Sequence, residues 1–304
     1  MPKFDLLVAG EINPDLILNG QFALEFGQTE KLVDSANLTI GSSSAIFACG
    51  AARLGLKTAF IGVCGDDLFG RFMLEQMNAR DVDTSGVRVV PGGTTGLSVI
   101  LNRGADRMIL TNPGLIADLK ADDVSDSLLQ QAKHLHVASY FIQTALRPGL
   151  PGLFERAHHL GLTTSLDTNF DPTEKWTGLP DVLAKTDIFF PNEREAKSIV
   201  KRSPEEAIRI LSNACGMVVM KCGADGAKLA EKRLFTGVPS IPVDVVDTVG
   251  AGDSFDAGFV YGYLQNWDRE RTLRLAAVCG ALSTRASGGT NGQPTLAEAV
   301  KYLE

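Results

Sequence analysis

Positive charge, sulfur, histidine and long apolar runs are all scarce in this chain of 304 residues, and each shortage removes a class of function. Only 29 Lys and Arg face 36 Asp and Glu, a formal net charge of −7, and the isoelectric point is near 5.2. That balance argues against a general binder of nucleic acid or anionic membrane, while leaving room for a local basic pocket around nucleotide phosphates. The 5 cysteines, Cys49, Cys64, Cys215, Cys222 and Cys279, are odd in number, widely spaced and never arranged as Cys-x-x-Cys. Neither a disulfide framework nor a zinc site follows, and they read as buried or idle thiols in a reducing compartment. The 4 histidines, His134, His136, His158 and His159, have no accompanying metal-ligand pattern. No apolar run approaches the roughly 20 residues that cross a bilayer, and no basic region followed by a long apolar segment opens the sequence. Residues 4–10 read instead as a first core strand, and the expected location is cytoplasmic.

What is present is a core-forming composition, 44% hydrophobic and 21% charged, in an alternating rhythm. Short apolar runs at 6–10, 58–63, 135–139, 163–167, 188–191 and 217–221 read as strands. Helical patterns at 44–54, 69–80, 150–160, 193–200 and 204–215 fall between them. Such alternation predicts an α/β fold, a mostly parallel sheet with helices on both faces. Two stretches break it, 14–38 and 96–112, where short apolar pieces surround turns such as Arg103-Gly104-Ala105-Asp106. They read as strands forming a small sheet outside the main layer, or else an antiparallel edge to it. No repeat, low-complexity tract or long linker divides the chain.

The most specific string is Asp247-Thr248-Val249-Gly250-Ala251-Gly252-Asp253-Ser254-Phe255. Residues 241–246 before it read as a short apolar strand, and Phe255, Phe259, Tyr263 and Leu264 after it recur near helical spacing. The loop therefore lies at a helix N-terminus, where free N–H groups and the helix dipole attract an anion that small residues allow to approach. Taken alone, a Gly-Ala-Gly turn only tightens a strand–helix connection. The longer string resembles the C-terminal signature of the ribokinase-like, or PfkB, family of small-molecule kinases.

Other segments match that family in order. Gly10-Glu11-Ile12-Asn13-Pro14-Asp15 follows the first strand; by composition it is a turn, and in the resemblance Asn13 and Asp15 bind the acceptor sugar. Gly41-Ser42-Ser43-Ser44-Ala45-Ile46 is a polar cap before an apolar helix and is similar to the N-terminal signature. It departs from the family at Ser42, where a second glycine is usual, and at Ile46, where an asparagine commonly binds sugar hydroxyls. Asp167-Thr168-Asn169-Phe170-Asp171 resembles the Asp-x-Asn segment of fructokinase-like and ketodeoxygluconate-kinase-like members, with Asp171 near the usual arginine. An acidic sugar would lose a partner by that exchange, which favours a neutral acceptor. Asn192 and Glu195 form the Asn-x-x-Glu element, in bare chemistry a helix cap. Lys221, Gly223 and Gly226 match a nucleotide-binding Lys-x-Gly-x-x-Gly turn, which also reads as a hairpin.

The resemblance implies a three-layer α/β/α domain spanning 1–304, with a β-stranded lid inserted from about 13–39 and 94–112. It implies transfer of the ATP γ-phosphoryl group to an alcohol of a small sugar such as fructose or ribose. Asp253 is then the catalytic base and touches the substrate, the amides of Gly250, Ala251 and Gly252 form an anion hole, and Gly41, Ser42, Ser43 and Ile46 join Asn13 and Asp15 around the acceptor. ATP would lie on Asn192, Lys221, Gly223, Gly226, Thr248, Gly250, Gly252 and Cys279. Mg²⁺ would sit near Asn192 and Glu195 through water, and a monovalent cation such as K⁺ near Asp247 and Val249. A carboxylate at a helix N-terminus is expected to ionise easily, making Asp253 a weak resting base. An exposed lid sheet suggests a homodimer. The rivals are a nucleoside kinase, with Ile46, Phe47, Tyr140 and Phe141 offered to a base, a sugar-acid kinase, and a sugar-binding regulatory protein of the same fold.

Overall fold

The computed structural model describes residues 2–21, 25–103 and 106–303. Residues 22–24, and Gly104 and Ala105 of the expected 103–106 turn, lie outside the described residues. In chain order the strands are β1 Leu6–Ala9, β2 Pro14–Asn19, β3 Ser35–Ile40, β4 Thr58–Ile61, β5 Val63–Gly65, β6 Val82–Asp83, β7 Arg88–Val90, β8 Leu97–Arg103, β9 Asp106–Asn112, β10 His134–Val137, β11 Thr163–Leu166, β12 Ile188–Phe189, β13 Met217–Lys221, β14 Ala227–Glu231 and β15 Leu234–Val238. The helices are α1 Ser43–Leu54, α2 Leu68–Asn78, α3 Asp126–Leu129, α4 Leu150–His159, α5 Leu179–Leu183, α6 Glu193–Val200, α7 Pro204–Leu211, α8 Ala251–Leu264, α9 Arg269–Ser283 and α10 Leu296–Ala299.

Nine strands form the central sheet in the order β15-β14-β13-β12-β11-β10-β1-β4-β6. It is parallel from β13 to β6, and β14 and β15 add an antiparallel edge. Every residue of β1 is buried, because a parallel strand inside an α/β fold is covered on both faces. Successive side chains point to opposite sides. Leu7, Ala9, Leu135, Val137 and Leu166 therefore join one core with Phe154 of α4, Val182 of α5 and Ile208 of α7. Leu6, Val8, Phe60, Ile188 and Val219 join the other, with Phe47 of α1, Phe259 of α8 and Leu273 of α9.

The two irregular stretches form a sheet of their own, ordered β3-β2-β8-β9, and not an edge of the central one. Each contributes an antiparallel pair, and the pairs join through a parallel β2–β8 seam. Ile17 and Ile100 pack from this sheet onto Val249 of the Asp247–Phe255 string.

One expected strand is absent. Residues 241–246 run without a ladder, because β15 already closes the sheet and their amides go elsewhere: the N–H groups of Val246 and Asp247 both donate to Thr284 O, beyond the end of α9. Ile241 and Val243 pack with Leu275 and Val278, while Val245 and Val246 are exposed.

Candidate active site

The strand order turns at β1 and β10, and beyond the carboxyl ends of β1, β10, β11, β12 and β13 lies a cleft of about 520 Å³. In open α/β sheets such a switch point is where ligands collect. The small sheet faces it with Ser98, Ile100, Ile109 and Thr111, and the first turn of α8 lines the other side.

At the end nearest the small sheet, polar groups converge. Asn13 and Asp15 are both buried at the start of β2, and Asn13 Nδ2 makes only long contacts, 3.4 Å to Asp15 Oδ1 and 3.3 Å to Ser98 Oγ. Gly41 lies behind them, against the Asp15 carboxylate, where a Cβ would collide. Glu11 accepts hydrogen bonds from Ser44 Oγ at 2.5 Å and Ser139 Oγ at 2.8 Å, and Asn169 Nδ2 donates to Ser43 Oγ and Ser139 Oγ. Ser42 caps α1 with φ 65° and ψ 118°, a conformation that favours glycine, which explains the residue usual at its position. Its hydroxyl offsets the strain by accepting from Ala45 N and donating to Glu11 O. Ile46 lies against Gly250 and Gly289 and presents the cleft with an apolar wall.

The Asp247–Phe255 string forms the turn into α8. Gly250 is the N-cap at φ 72°, and a Cβ there would come within 2.7 Å of Gly289 Cα. Gly252 is different: a Cβ would meet nothing nearer than Lys221 Nζ at 3.5 Å, so the space in front of its backbone is open. Asp253 follows, in the first turn and 8% exposed. Contrary to the sequence expectation, its carboxyl is pushed well above the ordinary aspartate range. Burial is the main cause and Asp167 adds to it; Lys221 opposes, Glu11 raises it further and Ser43 lowers it. Burial and carboxylate neighbours outweigh the helix terminus.

One turn further on, Asp256 reaches the same centre from behind. Lys221 Nζ lies 2.7 Å from Asp167 Oδ2 and 3.3 Å from both Asp256 oxygens. Burial drives the Asp256 carboxyl well up despite Lys221. Asp167 is held low: burial works against its charge, but Lys221 and hydrogen bonds from Asp256, Lys221 and Asn169 win. Glu195 is pushed up to about 7 by burial and Asp167.

Asn192 and Glu195 make a reciprocal cap on α6, as the bare-chemistry reading expects, and both also line the cleft. The Lys221–Gly226 turn connects β13 to its antiparallel neighbour β14, as the hairpin reading expects. Gly223 and Thr248 line the cleft; Gly226, at φ 94°, packs against the backbone of Val238 and does not. Asp247 accepts from the N–H groups of Val249 and Gly288, tying the loop to its neighbour. Cys279 is a correction: it is buried in the α8–α9 packing, its Sγ against Gly258, and is not among the cleft-lining residues.

The family model for pfkB family carbohydrate kinases matches residues 3–296. The chain belongs to that family. This kinase is 30% identical to an ATP-dependent ribose-1-phosphate kinase of Halopiger xanaduensis, over 98% of this chain and 97% of that protein. It is 30% identical to a 5-dehydro-2-deoxygluconokinase of Geobacillus kaustophilus, over 87% and 84%. Among solved structures, a putative Ribokinase II from E. coli in complex with ATP and Mg²⁺ superposes with a TM-score of 0.86 at 26% identity, covering 99% of both chains. The kinase is an ATP-dependent sugar phosphotransferase.

Besides Cys279, four residues expected at the site lie away from the kinase cleft. Asp171 does not line it: its carboxylate accepts from Thr173 N, Thr173 Oγ1 and Trp176 N, closing a local turn. Phe47, Tyr140 and Phe141 are core residues, with Phe47 stacked on His136 at 3.6 Å, and no aromatic side chain lines the cleft among the described residues. Sequence reasoning also passed over Glu11, Ser98, Ser139 and Asp256, which meet at the site from β1, β8, the turn after β10 and α8. The first lay within a quoted motif, while Ser98 and Ser139 carry no local signal.

Proposed function

We propose that this kinase phosphorylates a hydroxyl of a neutral sugar, fructose-like or ribose-like, with Asp253 as the base. The observation that carries the acceptor class is the charge of the cleft. Five carboxyl groups line it, Glu11, Asp15, Asp167, Glu195 and Asp253, of which Asp167 is held ionised, and its one cation among the described residues, Lys221, is already engaged by Asp167 and Asp256. A neutral polyol finds acceptors and donors there; a sugar acid finds repulsion. Asp171, turned away from the cleft, takes no part in this selection. Asn13 and Asp15 hold acceptor hydroxyls, with Gly41 and Ser42 shaping the turn behind them and Ser43 and Ile46 completing the wall. As the sugar oxygen bonds to the γ-phosphorus and the bond to the departing ADP breaks, the alcohol proton passes to Asp253, and the Gly250, Ala251 and Gly252 amides meet the growing negative charge.

ATP lies along Asn192, Lys221, Gly223, Thr248 and the glycine loop, with Gly226 shaping the turn behind Gly223. Among the described residues no cluster of three or more His, Cys, Asp or Glu could hold a metal ion by itself. Mg²⁺ keeps several waters and is held through phosphates with one or two protein oxygens, and Glu195 and Asn192 would supply those hard donors. When bound, the ion neutralises phosphate charge. Asp247 and the Val249 backbone are the candidates for a monovalent cation. No helix among the described residues is long and apolar enough to cross a membrane, and we infer a cytoplasmic enzyme that dimerises through the small sheet acting as a lid.

A second reading, an anionic acceptor, draws support from the relative named for ribose-1-phosphate. One screen decides between them: kcat/KM for fructose, ribose, ribose 1-phosphate, a ketodeoxy sugar acid and adenosine. A neutral sugar is expected to lead. Far higher efficiency with an acid or phosphate would sink the charge argument and leave the kinase assignment standing.

A further inference from the structure

We propose that Lys221 is a fixed catalytic cation: clamped between Asp167 and Asp256, its ammonium stands beside the first turn of α8 and meets the phosphoryl group as it passes to the sugar. This rests on the kinase mechanism above and assigns Lys221 a role beyond holding ATP.

The geometry is unusual for either of the ordinary lysine roles. A lysine that merely gathers phosphate charge reaches into solvent on a mobile stem. This one is 13% exposed, with its two partners 2% and 1% exposed. A buried ion pair kept for stability alone is poorly rewarded, because desolvating the charges consumes most of the attraction, and one carboxylate would suffice. Here two carboxyl groups from different elements, the ionised Asp167 just beyond β11 and Asp256 in the second turn of α8, hold one ammonium at the lip of an open cleft. The position it is held in is the informative part: 3.5 Å from where a Cβ on Gly252 would be, in the space where an anion on that loop would sit. Preorganised charge of this kind does not have to reorient as the reaction proceeds.

The same placement affects Asp253, the next residue. Asp253 faces Asp167 beyond β11, Glu11 beyond β1 and Ser43 on α1, with Asp256 on its own helix and Glu195 across Lys221. Lys221 is the cation in that set, and it pulls the Asp253 carboxyl down against burial and the carboxylates. It keeps its own protons throughout, since burial is outweighed by Asp167, Asp256 and Glu195, which hold its ammonium above the ordinary lysine range. It acts by charge and takes part in no proton transfer.

The test compares wild type with Lys221→Met and Lys221→Arg, each checked for folding by circular dichroism. Lys221→Met is expected to lower kcat by roughly 10²-fold, the scale of losing one preorganised charge partner, a fall larger than any accompanying rise in KM for ATP, with KM for the sugar changed by less than about threefold. In ¹³C-aspartate NMR, the Asp253 carboxyl of Lys221→Met should titrate at higher pH than in wild type, and Lys221→Arg should restore it. If Lys221→Met does not fold, Asp256→Ala, which leaves the lysine in place but loosens the clamp, should lower kcat by roughly 10-fold at unchanged KM. A raised KM for ATP at unchanged kcat would make Lys221 a ground-state ligand and overturn the proposal, as would an unmoved Asp253 titration. If the wild type phosphorylates no sugar, the proposed function fails by itself, and the carboxyl titration still decides on Lys221.

Discussion

Asp253 lies where its string placed it, in the first turn of α8 and on the cleft, but its state differs from the expected one. Its place in the string was legible, because loop, helix start and carboxylate are contiguous. Its charge was not, because Asp167 and Glu11 come from strands far away in sequence. Asp253→Asn is expected to lower kcat by at least roughly 10²-fold while the protein still binds ATP; turnover near wild type would remove the base role. The raised carboxyl also fixes two signs. For activity, the ionised form is the base, so kcat/KM should fall as pH drops through an acid limb lying above the ordinary aspartate range; a profile flat into that range would contradict it. For stability, an acid whose folded pKa is raised favours folding below its unfolded pKa, and that contribution is lost as pH rises through the folded value. Asp253→Asn removes the loss, so its melting temperature should exceed that of wild type by a margin that grows with pH. Asn13→Ala should raise acceptor KM about tenfold, the loss expected for a buried hydrogen bond.

At the scale of elements, the N-terminus of α8 separates packing from function within three residues. Gly250→Ala forces a side chain into a positive-φ position against Gly289, at a cost of roughly 1–3 kcal/mol. Gly252→Ala meets only the lysine stem, so thermal unfolding should be unchanged while ATP-dependent turnover collapses. Equal melting losses in both variants would show that the loop is merely tight. On α6, Glu195→Gln retains an oxygen to accept from the Asn192 amide, and the Mg²⁺ concentration for half-maximal activity should rise roughly tenfold with the helix intact. The parallel units were legible for the reason this loop was: strand, turn and helix signals are local. The Asp167–Lys221–Asp256 clamp was not, since its members stand 54 and 35 positions apart and each alone passes for a turn or surface charge. Phe47 and Tyr140 failed for the opposite reason: an aromatic near the end of a strand or the start of a helix reads equally as pocket wall or core, and here the core took both.

For the whole molecule, the small sheet presents apolar side chains on both its edge strands, Leu38 on β3 and Met108, Ile109 and Leu110 on β9, each more than a third exposed. Unpaired edges of this kind invite a partner. Wild type is expected to sediment as a dimer, and a Leu38→Lys, Leu110→Lys variant as a monomer; a monomeric wild type at micromolar concentration would end the lid-dimer proposal. The parallel seam of that sheet has a consequence for time as well as for space. Asp15 to Asn19 of β2 align with Ser98 to Asn102 of β8, and the bond from Asn102 to Asn19 spans 83 positions. A contact of such high order forms late, after the units between have folded, because the intervening chain must first be closed. It can therefore open early, as a local unfolding unit that leaves every ladder of the central sheet in place. Amide hydrogen exchange along β2 and β8 should outpace that along β1 and β10 in the free enzyme, and a sugar bridging Asn13, Asp15 and Ser98 would act as a staple across the seam, slowing the clock of the whole sheet.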